Sequence, residues 1–323
     1  MHKQKILVTG AHGFLGKAVC SRLEQEESYS LYKLEGSSVC DLKNRNQVDE
    51  VLNTFQPTMV IHLAARVGGI GANKENPGLF MYENLAMGIT LIEACRVYGK
   101  LHKFVMVGTV CSYPKFTPVP FTEDDLWAGY PEETNAPYGI SKKTLIELLI
   151  AYDQQYGFNC VNLVPVNMYG PNDHFDPKIS HVIPALILKI DRAITLGSDE
   201  IELWGTGQAS REFLYTEDCA NAIAQSLVSD CSPGPINIGT GEEIKIKDLA
   251  EILKDIMGYE GDIVFNADFP DGQPRRCLNI DKANEELGFQ ATTSLRDGLT
   301  ETVKWYYDNK HKERFYDHFH SIQ

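Results

Sequence analysis

The stretch that most constrains this chain is "KILVTGAHGFLGKAVCSRLEQ", near its N-terminus. "KILVT" is a short β-branched run and reads as a buried strand, while "GKAVCSRLEQ" spaces its apolar residues as a helix does. Between them, Gly10, Gly13 and Gly16 form a GxxGxxG turn. Such a turn points the unpaired N–H groups of the helix at whatever lies before it, and glycine lets a phosphate approach the backbone closely. A turn of this composition can serve packing alone, but its place directly after the first strand favours the anion-binding reading.

Apolar runs recur at "TMVIHLAA", "HKFVMVGTV" and "FNCVNLVPV", with helical stretches such as "AMGITLIEACRVYGK" and "SKKTLIELLIAYDQQYG" between them. This alternation predicts an α/β fold: a Rossmann-type parallel sheet flanked by helices, followed by a smaller C-terminal α/β substrate domain. The expected division is residues 1–171 for dinucleotide binding, with 212–240 returning to that part, and 172–323 for substrate binding. The formal charge of −14 argues against broad contact with nucleic acid or anionic membrane. The eight cysteines are scattered without a CxxC pair, which excludes a zinc site of ordinary spacing and predicts no metal. "MHKQKILVTG" enters a strand without the apolar segment of a signal peptide, so the expectation is a cytoplasmic protein.

In "NAPYGISKK", Tyr138 precedes Lys142 by one helical turn, so both face one way. A tyrosine phenol ionises only near about pH 10, and a neighbouring ammonium favours the phenolate, so the pair reads as a tuned proton-transfer device. Thr109, at the end of "FVMVGTV", adds a hydroxyl able to polarise a carbonyl oxygen. YxxxK alone is a common accident; the order of glycine loop, hydroxyl strand, then tyrosine and lysine gives it weight. The clues to the cofactor's ribose conflict: Glu35 favours the free hydroxyls of NAD, whereas Lys33, His12, Ser37 and Ser38 suit the extra phosphate of NADP, with Asp41 assigned to adenine.

Further stretches, "HLAARVGGIGAN", "CSYPK", "EETNAPYGISK", "PVNMYGPNDHF", "SHVIPALI", "WGTGQASREFLY", "INIGTG" and "PDGQPRR", span nearly the whole chain. In these it resembles the GDP-L-fucose synthase family, a branch of the extended short-chain dehydrogenase/reductases. The resemblance implies NADPH-dependent conversion of a GDP-4-keto-6-deoxy sugar, by epimerisation at carbons 3 and 5 and reduction at carbon 4. It implies catalytic roles for Thr109, Cys111, Tyr138, Lys142 and His181, with Cys111 as base and His181 as acid. Thr109 departs from the family's usual serine.

The implied cofactor contacts are Gly10, His12, Gly13, Phe14, Leu15, Gly16, Asp41, Leu42, Leu63, Ala64, Ala65, Tyr138, Lys142, Pro165, Asn167 and Met168. The implied substrate contacts are Asn167, Lys189, Trp204, Arg211, Asp271 and Arg275, with Arg276 an alternative to Arg275 for the nucleotide. A homodimer is also implied, formed by helices around 84–98 and 141–156, with Leu145, Leu148 and Leu149 available to the interface or else packed entirely within one chain.

Two other readings start from the same motifs. UDP-sugar 4-epimerases and dehydratases share the glycine loop, Tyr138 and Lys142, but Cys111 argues against them, and dehydratases call for an acidic residue where Val110 stands. A non-catalytic nucleotide-binding regulator needs neither tyrosine nor lysine, and both are present. Within the resembled family, a GDP-heptose or other GDP-keto-sugar 4-reductase with partial or no epimerisation stays open.

Overall fold

The computed structural model describes residues 3–68, 70–176, 180–269 and 273–312. Its first half alternates β1 (Gln4–Thr9), α1 (Phe14–Glu24), β2 (Tyr29–Lys33), α2 (Arg45–Phe55), β3 (Met59–His62), α3 (Ile70–Glu75), α4 (Pro77–Tyr98), β4 (Lys103–Val107), α5 (Ala136–Tyr156) and β5 (Cys160–Pro165). All residues of β3, β4 and β5 are buried, which is why they read as continuous apolar runs and not as alternating ones. The second half follows with β6 (Asn167–Tyr169), α6 (Val182–Leu196), β7 (Glu200–Trp204), β8 (Ser210–Tyr215), α7 (Thr216–Ser226), β9 (Pro235–Ile238), β10 (Glu243–Lys245), α8 (Ile246–Met257), β11 (Asp262–Asn266), α9 (Asp281–Leu287) and α10 (Leu295–Asn309).

Six strands form one parallel sheet in the order β2-β1-β3-β4-β5-β9. One face packs on α1, α7 and α9 through residues such as Val19, Leu23, Ile223 and Leu287. The other packs on α2, α4 and α5 through Leu52, Leu91, Ile92 and Leu149. The chain leaves β1 toward β2 on one side and runs from β3 to β5 on the other, so the strand order reverses between β1 and β3. The carboxyl ends of those two strands therefore open a crevice, the usual ligand position in such sheets.

Helices α4 and α5 lie very close: a Cβ on Gly88 would come within 2.3 Å of Leu145 Cδ1. Leu145 and Leu149 are fully buried in this contact and in the sheet core, so of the two roles open to them it is packing within the chain that they serve. Leu148 is half-buried on the outer side. The remaining strands make a β10-β8-β6 sheet and a β7–β11 parallel pair. With α6, α8 and α10 they enclose a second core containing Phe175, Ile187, Phe213, Leu253 and Leu299. Among the described residues no helix is long and apolar enough to cross a membrane.

Candidate active site

The glycine loop forms the floor of the crevice. Gly10 has φ +70°, and a Cβ there would lie 2.7 Å from the Ala64 backbone nitrogen; one on Gly16 would lie 2.0 Å from the Gly10 carbonyl oxygen. Both positions are thus closed to any side chain, and the start of α1, capped by Gly13, stays open toward the crevice. Behind the loop, Thr9 Oγ1 and His62 Nδ1 lie 2.8 Å apart, and the Ala64 amide donates to Thr9 Oγ1 at 3.3 Å. Burial, helped by the Lys142 cation, pushes His62 down to about 3, so it is a neutral structural strut. Sequence reasoning missed this pair, because a histidine ending an apolar strand carries no distinguishing pattern.

A cleft of about 340 Å³ continues from Gly10, His12 and Gly13 past Ser37, Asp41 and Leu42 to Ala64, Ala65 and Met87. Glu35 and Lys43 line it, and Glu83 pairs there with Lys43 at 2.9 Å and Arg66 at 3.0 Å. The cleft fits a dinucleotide: a side-chain-free loop at a helix N-terminus for the pyrophosphate, and polar and apolar walls for an adenosine. Lys33 is held by Glu24 at 2.6 Å and, like exposed Ser38, is not among the residues lining this cleft. Phe14 and Leu15 open α1, Leu15 buried beneath the loop, and Leu63 follows β3.

The chemical end lies where β4 runs out. Thr109 caps a short 3₁₀ turn, Val110–Ser112, by accepting a hydrogen bond from the Cys111 amide at 3.2 Å. Against this turn packs the first turn of α5: Ser112 Oγ donates to the Gly139 carbonyl at 2.9 Å, and a Cβ on Gly139 would be 2.3 Å from the Cys111 carbonyl oxygen. Cys111, Thr109 and Tyr138 are thereby brought together, with the Thr109 hydroxyl bonded to the phenol.

Tyr138 and Lys142 are buried, at 8% and 2% exposure. Burial raises the Tyr138 phenol, the neighbouring Cys111 raises it further, and the Thr109 hydrogen bond opposes both. Burial also pushes Lys142 down to about 8, and its Nζ donates to the Val107 carbonyl at 3.0 Å. The expectation that Lys142 draws the phenol downward is therefore corrected: desolvation dominates the tyrosine, and one donor of the Lys142 ammonium goes to the backbone of β4.

The residues expected to contact substrate lie in the second half of the fold. His181 caps α6 and stays accessible, yet the protein crowding its ring, together with His174, disfavours the imidazolium. Asn167 on β6 donates to the Glu212 carbonyl at 3.1 Å, flanked by Pro165, which ends β5, and half-buried Met168. The Arg211 Nη1 donates to the Ser210 carbonyl at 2.7 Å. Trp204 is 67% exposed and stacks on Phe269 at 4.6 Å, with Lys189 Nζ 5.9 Å from its ring.

Arg275 is neutralised by Glu243. Arg276, the alternative nucleotide contact, turns instead to Cys111, with Nη1 3.9 Å from Sγ. Asp271 lies outside the described residues. Sequence reasoning also missed Glu212, buried under the site. Its Oε1 accepts from the Thr240 and Gly241 amides at 2.5 and 2.8 Å, and its Oε2 from Leu278 at 2.7 Å. Burial raises this carboxyl while those amides pull the other way.

A doubly wound sheet with a glycine-floored crevice and a hydroxyl–tyrosine–lysine group defines the class. The sequence matches the NAD dependent epimerase/dehydratase family over residues 6–239, and it is 37% identical over 305 residues to GDP-L-fucose synthase 1 of Arabidopsis thaliana, covering 94% of each chain. The protein belongs to that epimerase/dehydratase family and, within it, to the GDP-L-fucose synthases. Among solved structures it resembles a GDP-L-fucose synthetase from Naegleria fowleri bound to NADP, with TM-score 0.87 and 27% identity over 97% of this chain and 96% of that one. It also resembles a GDP-6-OMe-4-keto-L-xylo-heptose reductase from C. jejuni, with TM-score 0.85 and 27% identity over 95% and 98% of the two chains.

Proposed function

We propose that this protein is an NADPH-dependent epimerase/reductase that converts GDP-4-keto-6-deoxy-D-mannose to GDP-L-fucose. The observation that carries the reading is the packing of the Cys111 turn against the first turn of α5, which puts a thiol and a phenol into one site. A proton next to a ketone is acidified because its loss yields an enolate, so inversion needs one group to remove it and another to return one from the opposite face. Cys111 takes the first role and His181, at the start of α6, the second.

Tyr138, kept protonated by burial, then gives its proton to the developing alkoxide at carbon 4, and Thr109 holds that oxygen. Lys142 orients the ribose next to the reacting ring. The bound NADPH supplies the hydride. His12 and Ser37 line the cleft on the ribose side and suit the extra phosphate, consistent with the NADP-bound relative. Arg211 and Lys189 face the diphosphate, and Trp204 with Phe269 offers a stacking surface for the base.

In this reading the sheet-bearing part holds the cofactor and the α6, α8 and α10 part the sugar nucleotide. The enzyme works in the cytoplasm as a homodimer. Exposed Ile89, Val97 and Tyr156 on α4 and α5, and the apolar groove of Trp127, Ile140, Leu148 and Ala151, supply the apolar surface for pairing.

Incubation with GDP-4-keto-6-deoxy-D-mannose and NADPH, with the product sugar identified by NMR, tests the proposal. NADPH consumption with formation of GDP-L-fucose is expected. Consumption that leaves carbons 3 and 5 uninverted would remove Cys111 and His181 from catalysis and favour the reductase reading suggested by the C. jejuni neighbour. No consumption would overturn the reading.

A further inference from the structure

Adjacent arginines in "PDGQPRR" are treated in opposite ways by the fold. Arg275 lies against Glu243, a carboxylate that cancels its charge. Arg276 has no carboxylate within ion-pair distance among the described residues, and its Nη1 sits 3.9 Å from Cys111 Sγ. Its position is set from several sides. Nη2 donates to Gln273 Oε1 at 2.7 Å, and the Gln273 amide in turn donates to the Lys115 carbonyl at 3.0 Å, three residues past the turn that carries Cys111.

The Arg276 carbonyl accepts from the Glu212 amide at 3.1 Å, and the Glu212 carboxylate grips Leu278 two residues on. Its Nε is buried without a hydrogen-bond partner among the described residues. Arg276 is half-buried, and an unpaired buried donor beside a cation is costly, a cost that negative charge on the neighbouring sulfur offsets. The Tyr138 phenol, which burial keeps neutral, also lies near Cys111.

We propose that Arg276 is the built-in counter-charge of Cys111, holding its sulfur as the thiolate that removes a proton from the sugar. In that step the carbon–hydrogen bond beside the ketone breaks, a sulfur–hydrogen bond forms, and the electron pair moves to the ketone oxygen. The guanidinium keeps all its protons throughout, as an arginine does at any working pH. The assignment rests on Cys111 being the base of the proposed epimerisation, but the state of the sulfur can be read without any substrate.

The test is alkylation of the intact protein by iodoacetamide at neutral pH, which reports thiolate and not thiol. Cys111→Ser supplies the background from the other cysteines, of which only Cys231 is not fully buried. Arg276→Gln is expected to slow Cys111 alkylation about tenfold at neutral pH, with Arg276→Lys restoring most of the rate and the difference vanishing near about pH 10, where ordinary thiols ionise.

Gln273→Glu keeps Arg276 in place but sets a carboxylate against it, and is expected to slow alkylation several-fold even if Arg276→Gln proves unstable. Wild-type rates at neutral pH in folded Arg276→Gln, or in Gln273→Glu, would overturn the proposal. A wild-type protein that reduces its substrate without epimerising would instead overturn the functional reading and leave the alkylation result standing.

Discussion

Replacing Gly16 by alanine tests the glycine loop most sharply. The added Cβ would stand 2.0 Å from the Gly10 carbonyl oxygen and 2.7 Å from the Ala11 carbonyl carbon. Contacts below 3.0 Å essentially never occur for a Cβ, so the first turn of α1 and the loop must part by at least 1.0 Å. The obstacle is backbone, which cannot rotate aside as a side chain can. Overpacking of this kind costs about 1–3 kcal/mol of stability. The same displacement withdraws the helix N-terminus from the pyrophosphate, and errors of about 1 Å in a positioned site cost on the order of a hundredfold.

Chemical denaturation and NADPH fluorescence titration measure the two effects, with Gly78→Ala as control because nothing lies within 4 Å of its Cβ position. Expected for Gly16→Ala are a loss of about 2 kcal/mol and NADPH affinity weaker by about ten- to a hundredfold, with Gly78→Ala close to wild type. A Gly16→Ala protein with unchanged stability and affinity within about twofold would refute the argument that close backbone approach is what this glycine provides.

Three further outcomes follow from the site. Tyr138→Phe removes the proton donor without changing the packing, so steady-state NADPH oxidation should fall at least about a hundredfold while NADPH binding persists; unchanged turnover would remove Tyr138 from the chemistry. Glu212→Ala strands the amides of Thr240, Gly241 and Leu278, and with each buried orphan costing about 1–3 kcal/mol, urea denaturation should show a loss of at least about 3 kcal/mol. A loss below about 1 kcal/mol would show that those amides find other partners.

Because burial puts Lys142 at about 8, the free protein carries that charge below this pH and loses it above, where cofactor binding must recapture a proton. NADPH affinity should therefore drop about tenfold between about pH 7 and pH 9, and Lys142→Met should level the profile. An equal slope in the variant would assign the titration to another group.

Local pattern made much of this protein legible. The glycine loop, the β-branched runs and the Tyr138–Lys142 spacing are each set by short-range geometry: a turn that only glycine can make, a pleat buried on both sides, one helical repeat. Cys111 and His181 became visible only through resemblance, since a lone cysteine or histidine has no pattern of its own. That burial and not Lys142 dominates the phenol is something no spacing reveals: Lys142 instead donates a hydrogen bond to the carbonyl of Val107, on a neighbouring strand.

The sequence alone determined the strand–loop–helix start, the alternation that makes a parallel sheet and the order of its chemical residues, because these depend on neighbours a few positions apart. Which of two adjacent arginines is paired with a carboxylate, and that Glu212 and His62 are struts beneath the site, only the tertiary structure decided. Burial and pairing across more than a hundred residues of chain, as between Arg276 and Cys111, exist only once the two parts of the fold close on each other.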